Sequence, residues 1–123
     1  LRLTFDHKPS VSSETQRVKD AGGFVAYNRV NGILSVSRAL GDHAMKAYVI
    51  SEPYTKAIRL EKGDEWIILA CDGVWDVISD QGAVDLVKAT GDPQAAAERL
   101  VKEALSNGST DNISVLVIRL ADL

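Results

Sequence analysis

The order of hydrophobic and polar residues predicts several short strands, then two consecutive helices and a last strand. The clearest helical pattern runs to about Ser106, because Asp92 suits an N-cap, Pro93 suits the first helical position and apolar residues recur every three or four positions. These apolar residues are Ala97, Leu100, Val101, Ala104 and Leu105. Ser79 is the predicted N-cap of a preceding helix that ends near Thr90. The apolar side of that helix consists of Ala83, Val84 and Val87.

Strand-like segments rich in apolar and β-branched residues occupy much of the remaining chain. They are residues 1–5, 24–27, 29–30, 33–36, 54–60, 66–71 and 113–120. Asn31-Gly32 is the predicted hairpin turn between the segments 29–30 and 33–36, and residues 61–64 form another predicted turn. A short helix is expected near Ser13, whose spacing to Gln16 is that of a capping box, and Gly22-Gly23 is expected to end it. Residues 38–46 are expected to form a helical turn and a loop.

This sequence of elements predicts an α+β fold in which the helices cover one face of an antiparallel sheet, and not a series of βαβ units. The chain has 123 residues, of which 46% are hydrophobic, and this length and composition suit one domain with its own core. Because the chain starts at Leu1, directly in strand-like sequence, we expect it to be part of a longer protein.

Charge and cysteine content exclude some classes of function. The formal net charge is -3 and no basic run is present, which argues against a nucleic-acid or anionic-membrane surface. No segment approaches the ~20 apolar residues that span a bilayer, and no signal peptide is visible. The single cysteine, Cys71, excludes an internal disulfide and favours a reducing compartment. Its place inside an apolar strand favours a core role over that of a nucleophile.

The most informative segment is residues 66–73, in which a continuous apolar run leads directly into Asp72 and Gly73. An apolar run without alternation predicts a strand that is buried on both faces. A carboxylate at the end of such a strand is expected to be poorly solvated, and a bound divalent cation would offset that cost. Asp111 lies just before the last strand, so that the two carboxylates could bind one metal ion. The alternative is that Asp72-Gly73 is an ordinary turn and residues 109–112 an ordinary loop.

Six motifs, taken in order along the chain, resemble the C-terminal half of the metal-dependent, type-2C protein serine/threonine phosphatase family (PPM). The resemblance covers essentially the whole chain. The motifs are Asp6–Pro9, Ala21–Gly23, Arg29–Gly32, Ser37–Asp42, Ala70–Val77 and Ser109–Ile113.

The resemblance implies a sandwich of antiparallel sheets flanked by helices, with residues 1–123 forming a single, partial domain. It also implies a centre of two Mg²⁺ or Mn²⁺ ions in the complete domain, for which Asp72 and Asp111 correspond to metal ligands. In the family a metal-bound water attacks phosphoserine or phosphothreonine, without a cysteine nucleophile. The resemblance thus implies a hydrolase of phosphoproteins that acts in signalling.

The motif Asp-Gly-His-Gly, whose aspartate bridges the two metals in the family, occurs nowhere in this chain. We therefore expect the metal ligand set to be incomplete and the isolated chain to have weak or no phosphatase activity. No catalytic side chain is assigned, and no substrate-binding residue is identified. His7 and His43 are interpreted as loop residues, because neither lies in a motif that supplies a general acid.

Other residues of these motifs have structural and functional interpretations. Arg38 and Asp42 are expected to pair with each other, to brace loops or to contact a substrate phosphate. Trp75 is expected to anchor the core and Asp76 to act as a cap or turn residue. Residues 44–53 occupy the place of a flap that varies among family members, and the sequence does not predict the role of this segment.

The function predicted from the sequence is therefore Mg²⁺- or Mn²⁺-dependent dephosphorylation of serine and threonine, in the cytoplasm or the nucleus. Two alternatives are a non-catalytic, phosphatase-like module that binds or regulates partners, and a structural metal module. Strands without neighbours leave sheet edges and an apolar face exposed, so the isolated chain is expected to self-associate.

Overall fold

A computed structural model describes residues 1–120, which form two compact units. One unit consists of residues 2–57, and the other contains Leu1 and the residues from Ile58 onward. Helices and antiparallel strand pairs occur together, as the predicted α+β class requires. None of the helices in the described part of the chain is long and apolar enough to cross a membrane.

The unit that begins at Ile58 is built on a two-stranded antiparallel sheet. Strand β3, Trp66–Ala70, pairs with strand β4, Val115–Arg119, over the full length of each strand. Between them come a one-turn helix α2, Asp72–Trp75, and two longer helices, α3, Asp80–Thr90, and α4, Pro93–Ser106. Helix α4 packs against both α3 and β4, so the helices cover one side of this sheet as predicted.

The predicted N-caps of the two longer helices are confirmed. The Ser79 hydroxyl accepts a hydrogen bond from the Gly82 amide at 3.1 Å, and the Asp92 carboxylate accepts one from the Ala95 amide at 2.8 Å. Both bonds satisfy amide groups that the first helical turn would otherwise leave unpaired. The fully buried side of α4 consists of Ala96, Leu100 and Ala104.

Within residues 1–120, the helical core covers one face of the sheet and leaves Leu69 on the other face exposed, so the prediction that β3 is buried on both faces is wrong. Trp66, Ile68 and Ala70 alternate along β3 and pack against the helical core. The opposite face, which we call the outer sheet face, consists of the cross-strand pairs Ile67 with Ile118 and Leu69 with Leu116. Leu69 and Leu116 are 49% and 56% exposed. The sequence of β3 is apolar throughout because it supplies apolar residues to both the helical core and the outer sheet face. Within this unit, the helices cover the first of these faces.

The unit of residues 2–57 contains a helix, a short hairpin and a loop around a small core of Val18, Val30, Met45 and Val49. Helix α1, Ser12–Asp20, ends in a Schellman motif. There the Gly23 amide donates to the Val18 carbonyl at 2.9 Å and the Gly22 amide donates to that of Lys19 at 2.9 Å. The predicted stop at Gly22-Gly23 is thus confirmed.

The predicted start of α1 is wrong. The N-cap is Val11, which has no side-chain capping bond, and Gln16 donates to Asp20 instead of closing a capping box with Ser13. The Thr15 hydroxyl reaches back to the Pro9 carbonyl at 2.7 Å and fixes the first turn.

The hairpin turn lies four residues before the predicted one. Strands β1, Val25–Ala26, and β2, Arg29–Val30, pair across Tyr27 and Asn28, which have φ values of 53° and 57°. Two consecutive residues with positive φ form the tight turn that suits a hairpin. Asn31-Gly32 follows and leads only to an isolated bridge between Val30 and Leu34.

Three predicted strands do not form within the described residues. They are residues 1–5, 33–36 and 54–60. The turn at residues 61–64 is confirmed by the Asp64 amide, which donates to the Glu61 carbonyl at 3.0 Å. A short 3-10 helix, His43–Met45, lies within the predicted helical turn and loop of residues 38–46.

Candidate metal centre

Asp72 is the first residue of α2, immediately after β3 ends. Cys71 precedes it in an extended conformation, with φ -80° and ψ 174°, and the Asp72 carbonyl accepts a hydrogen bond from the Asp76 amide at 2.9 Å. The side chain of Asp72 is exposed, so the expectation of a poorly solvated carboxylate is wrong. The carboxylate lies in solvent at the start of this helical turn, where it is available to a ligand.

Asp111 lies in the loop between α4 and β4, and this loop begins from a fixed helix end. Gly108 has a φ of 84°, and its amide donates to the Leu105 carbonyl at 3.0 Å. The Ser109 amide donates to the Ala104 carbonyl at 3.0 Å, which completes a second Schellman motif. Asp111 itself is exposed, and its Oδ1 accepts a hydrogen bond from the Asn112 amide at 2.7 Å.

The two carboxylates lie on segments that contact each other. We call residues 71–73 the Asp72 turn and residues 109–114 the Asp111 loop. The Ser109 hydroxyl donates to the Gly73 carbonyl at 2.6 Å. The Cys71 thiol donates to the Asn112 carbonyl at 3.0 Å and accepts from the Ser114 amide at 3.2 Å. The fold therefore joins two acidic segments that are separated by 36 residues or more along the chain.

Gly73 is required for this contact. It is buried, and a Cβ atom at this position would collide with the backbone carbonyl of Asn112. Glycine lets the backbone of the Asp111 loop approach the Asp72 turn more closely than any side chain would permit. The Asp-Gly pair is thus more than a turn signal, since its glycine serves a tertiary contact.

The donor set fits a hard divalent cation only in part. Carboxylate oxygens are the ligands that Mg²⁺ and Mn²⁺ prefer, and Mg²⁺ commonly binds through one or two carboxylates while it keeps several waters. Among residues 1–120, no cluster of three or more His, Cys, Asp or Glu side chains is placed to hold a metal ion. That Asp72 and Asp111 bind a metal ion stays a prediction.

A second polar centre, in the unit of residues 2–57, is built on Glu14, which the sequence analysis did not single out. Glu14 is 1% exposed. Its carboxylate accepts hydrogen bonds from Arg38 at 2.7 and 3.1 Å, from the Ser37 hydroxyl at 2.7 Å and from Arg17 at 2.9 Å. Glu14 precedes the buried Val18 by four residues and so shares its helix face, which is the sequence pattern that could have revealed it.

The hydrogen bonds from Arg38 lower the pKa of Glu14 from 4.5 to about 2; Ser37 and Arg17 act in the same direction, and burial opposes them. The same pairing raises the pKa of Arg38. Arg38 also donates to the Glu52 carbonyl at 2.8 Å. In the described chain the carboxylate that pairs with Arg38 is thus Glu14 and not Asp42, and Arg38 braces loops, as one of its interpretations proposed.

The remaining predicted residues have structural positions. Trp75 is half-buried against the core, and its indole N–H donates to the Ala70 carbonyl at 2.8 Å, while Asp76 is the C-cap of α2. His7 lies in a loop, with its ring 5.4 Å from that of Phe5, and His43 begins the 3-10 helix. Within residues 44–53, Met45 and Val49 are buried, so this segment is anchored to the core of its unit.

Comparisons with known proteins agree on one family. The family model described as protein phosphatase 2C matches residues 1–113. Protein phosphatase 2C homolog 1 of Saccharomyces cerevisiae is 48% identical over 120 residues, which are 98% of this chain and 43% of the yeast protein. The protein of the same name from Schizosaccharomyces pombe is 50% identical over 121 residues, which are 98% of this chain and 35% of that protein. The chain therefore spans between 35% and 43% of the length of these curated relatives.

Solved structures show the same relationship. A sex determining protein of C. elegans matches with a TM-score of 0.87 and 35% identity, covering 98% of this chain and 32% of that one. A phosphatase from a pathogenic strain of Toxoplasma gondii matches with a TM-score of 0.81 and 30% identity, covering 98% of this chain and 43% of that one.

Proposed function

The chain belongs to the protein phosphatase 2C family, and we propose from this premise that it supplies two carboxylate ligands, Asp72 and Asp111, to a Mg²⁺- or Mn²⁺-dependent protein serine/threonine phosphatase. The observation that carries the proposal is the contact between the Asp72 turn and the Asp111 loop. The Ser109–Gly73 and Cys71–Asn112 hydrogen bonds join the two segments on which these exposed carboxylates lie.

Each part of the site has a distinct task in this proposal. The carboxylates hold a hydrated cation, because hard divalent ions bind oxygen ligands and retain water. When bound, such a cation supplies an activated water and neutralises charge on a phosphoryl group. The turn and the loop keep the two carboxylates on neighbouring backbone segments, and the exposure of both side chains leaves room for a phosphoprotein substrate.

The missing third carboxylate sets the expected activity. Two carboxylates bind Mg²⁺ or Mn²⁺ loosely, and they do not fix two ions at a bridging distance. We therefore propose that the isolated chain is weakly active or inactive. In the full-length product of its gene, an additional segment with the Asp-Gly-His-Gly motif would complete the centre of two metals.

The test is Mn²⁺-dependent hydrolysis of a phosphothreonine peptide by that full-length product, compared with its Asp72→Asn and Asp111→Asn variants. Loss of at least about 100-fold in rate is expected from each variant, since metal ligands hold the group that activates water. Asp85→Asn is a matched control, because Asp85 is exposed on α3 and its carboxylate accepts a local bond from Gln81, one turn away on the same helix. Unchanged rates in both ligand variants would remove the metal assignment.

A non-catalytic, phosphatase-like module is the second candidate, and the incomplete donor set of the described residues favours it. Such a module would bind or regulate a partner without Mn²⁺-dependent turnover. A full-length product that lacks the Asp-Gly-His-Gly motif and shows no hydrolysis would support this candidate against the enzyme.

The partners and the location follow from the same residues. The exposed outer sheet face is expected to draw two copies of the isolated chain together, as a two-fold pair or a swapped sandwich. The single Cys71 suits a reducing compartment, so the proposed location is the cytoplasm, with the nucleus as the alternative.

A further inference from the structure

We infer that Ser109 and Cys71 are positioning residues that hold the two proposed metal ligands together. This inference rests on the proposed function, because it assigns a task toward the same cation. Each residue bridges the Asp72 turn and the Asp111 loop through a side-chain hydrogen bond, and each lies within two residues of one of the carboxylates.

Ser109 is fixed from two directions. Its amide closes the Schellman motif at the end of α4, at 3.0 Å from the Ala104 carbonyl. Its hydroxyl then donates to the Gly73 carbonyl at 2.6 Å, a short bond in a half-buried position. Ser109 thereby connects the end of α4 to Gly73, the residue that follows Asp72. The loop that leads to Asp111 begins at this connection.

Cys71 makes the matching connection on the other side of Asp72. Its thiol lies between the Asn112 carbonyl, at 3.0 Å, and the Ser114 amide, at 3.2 Å, and so acts as donor and acceptor at once. The Cys71 amide also donates to the Ser114 carbonyl at 3.2 Å. This thiol therefore joins the Asp72 turn to the Asp111 loop just beyond the last paired residues of β3 and β4, Ala70 and Val115.

The two connections enclose both carboxylates. Along the chain, Asp72 lies between Cys71 and Gly73, and Asp111 lies between Ser109 and Asn112, so these four anchored residues are each within two residues of a proposed ligand. No other carboxylate of the described residues completes a cluster that could fix the ion. The affinity for a cation therefore depends on how well the backbone keeps these two ligands in place, in the way that outer-shell hydrogen bonds orient metal ligands elsewhere.

The experiment is calorimetric titration of the 123-residue chain with Mn²⁺, with circular dichroism of the metal-free proteins as a check of folding. Ser109→Ala and Cys71→Ala each remove one connection, whereas Ser109→Thr and Cys71→Ser keep a hydroxyl that can donate and accept. The alanine variants are expected to bind Mn²⁺ about tenfold more weakly. The threonine and serine variants are expected to restore most of that loss.

Thr90→Val is the control for a merely structural effect. It removes the hydroxyl bond from Thr90 to the Leu86 carbonyl, at 2.8 Å in α3 of the same unit, but touches neither acidic segment. This variant should lower the melting temperature of the metal-free chain and leave the Mn²⁺ affinity unchanged.

The outcomes separate the inference from the proposed function. If Asp72→Asn and Asp111→Asn bind Mn²⁺ as the unsubstituted chain does, the metal site itself is wrong. If these two variants lose affinity while Ser109→Ala and Cys71→Ala keep it, only the positioning role is overturned. If the alanine variants do not fold, the volume-matched Cys71→Val, which removes both bonds of the thiol, decides: a tenfold loss of affinity supports the inference and unchanged affinity overturns it.

Discussion

Arg38 donates two hydrogen bonds to the carboxylate of Glu14, at 2.7 Å from Nη2 to Oε1 and at 3.1 Å from Nε to Oε2. The side chain of Glu14 is almost fully buried and that of Arg38 is 23% exposed. The ion pair therefore connects the buried face of α1 to the surface of its unit. Because Arg38 also donates to the Glu52 carbonyl, three segments of the unit meet at this guanidinium.

The first prediction concerns the loss of this charge. Glu14→Gln keeps the shape of the side chain but leaves Arg17 and Arg38 without their anionic partner. We expect the free energy of unfolding to fall by about 3 kcal/mol, since removal of one member of a buried ion pair leaves the other uncompensated. Urea unfolding at pH 7 measures this change. Glu98→Gln, at an exposed site on α4, should change the value by less than about 0.5 kcal/mol.

The second prediction is the pH dependence that Glu14 gives to stability. Its folded-state pKa, about 2, lies below the unfolded value of 4.5, so the unfolded chain takes up the proton first as the pH falls. The stabilisation by Glu14 is therefore complete above about pH 5 and disappears between pH 4.5 and about pH 2. The free energies of unfolding of the unsubstituted chain and of Glu14→Gln should converge as the pH falls across that interval. A difference in free energy that stays constant down to pH 2 would show that the carboxylate is not held in its charged form.

The third prediction tests the core of the unit that begins at Ile58. Leu100 is fully buried on α4, whereas Leu105, on the same helix, is 58% exposed. Leu100→Ala should lower the free energy of unfolding by about 2–5 kcal/mol because it leaves a cavity. The matched Leu105→Ala change should cost much less than that. Equal losses in the two variants would contradict the packing described for α4.

The fourth prediction concerns self-association through the outer sheet face. Light scattering should show that the mass of the isolated chain rises with concentration. Leu69→Lys together with Leu116→Lys should abolish this rise, because two charges would then lie on the apolar face. Leu40→Lys is the control, since Leu40 is 87% exposed in the unit of residues 2–57. A monodisperse monomer at high concentration of the unsubstituted chain would refute the prediction.

The sequence predicts the helices of this fold better than its strands, for a physical reason. The limits of α3 and α4 depend on nearby residues such as Ser79, Asp92 and Pro93, whose capping roles are local. Residues 54–60 have strand-like composition but no strand partner among residues 1–120. A strand forms only when another segment pairs with it, and the composition of the strand itself does not predict that segment. The apolar run in β3 likewise reveals two apolar faces without revealing what covers each.

For the candidate site, the sequence likewise predicts the ligand residues but not the contacts between distant segments. Asp72 and Asp111 are visible in the sequence because each follows or precedes an apolar strand, and the family resemblance selects them. Whether they bind a cation stays a prediction. The connection through Ser109 and Cys71 depends on side-chain contacts between distant segments, which no local pattern displays. Glu14 was missed because an acidic residue in the first turn of a helix usually faces solvent.

The central claim is that Asp72 and Asp111 together bind a divalent cation, and calorimetric titration of the 123-residue chain with Mn²⁺ tests it most directly. We predict weak binding that either Asp72→Asn or Asp111→Asn reduces by at least about tenfold, or about 1.4 kcal/mol, while Asp85→Asn binds as the unsubstituted chain does. Binding that is equally strong in all four proteins, or absent from the unsubstituted chain, would contradict the account.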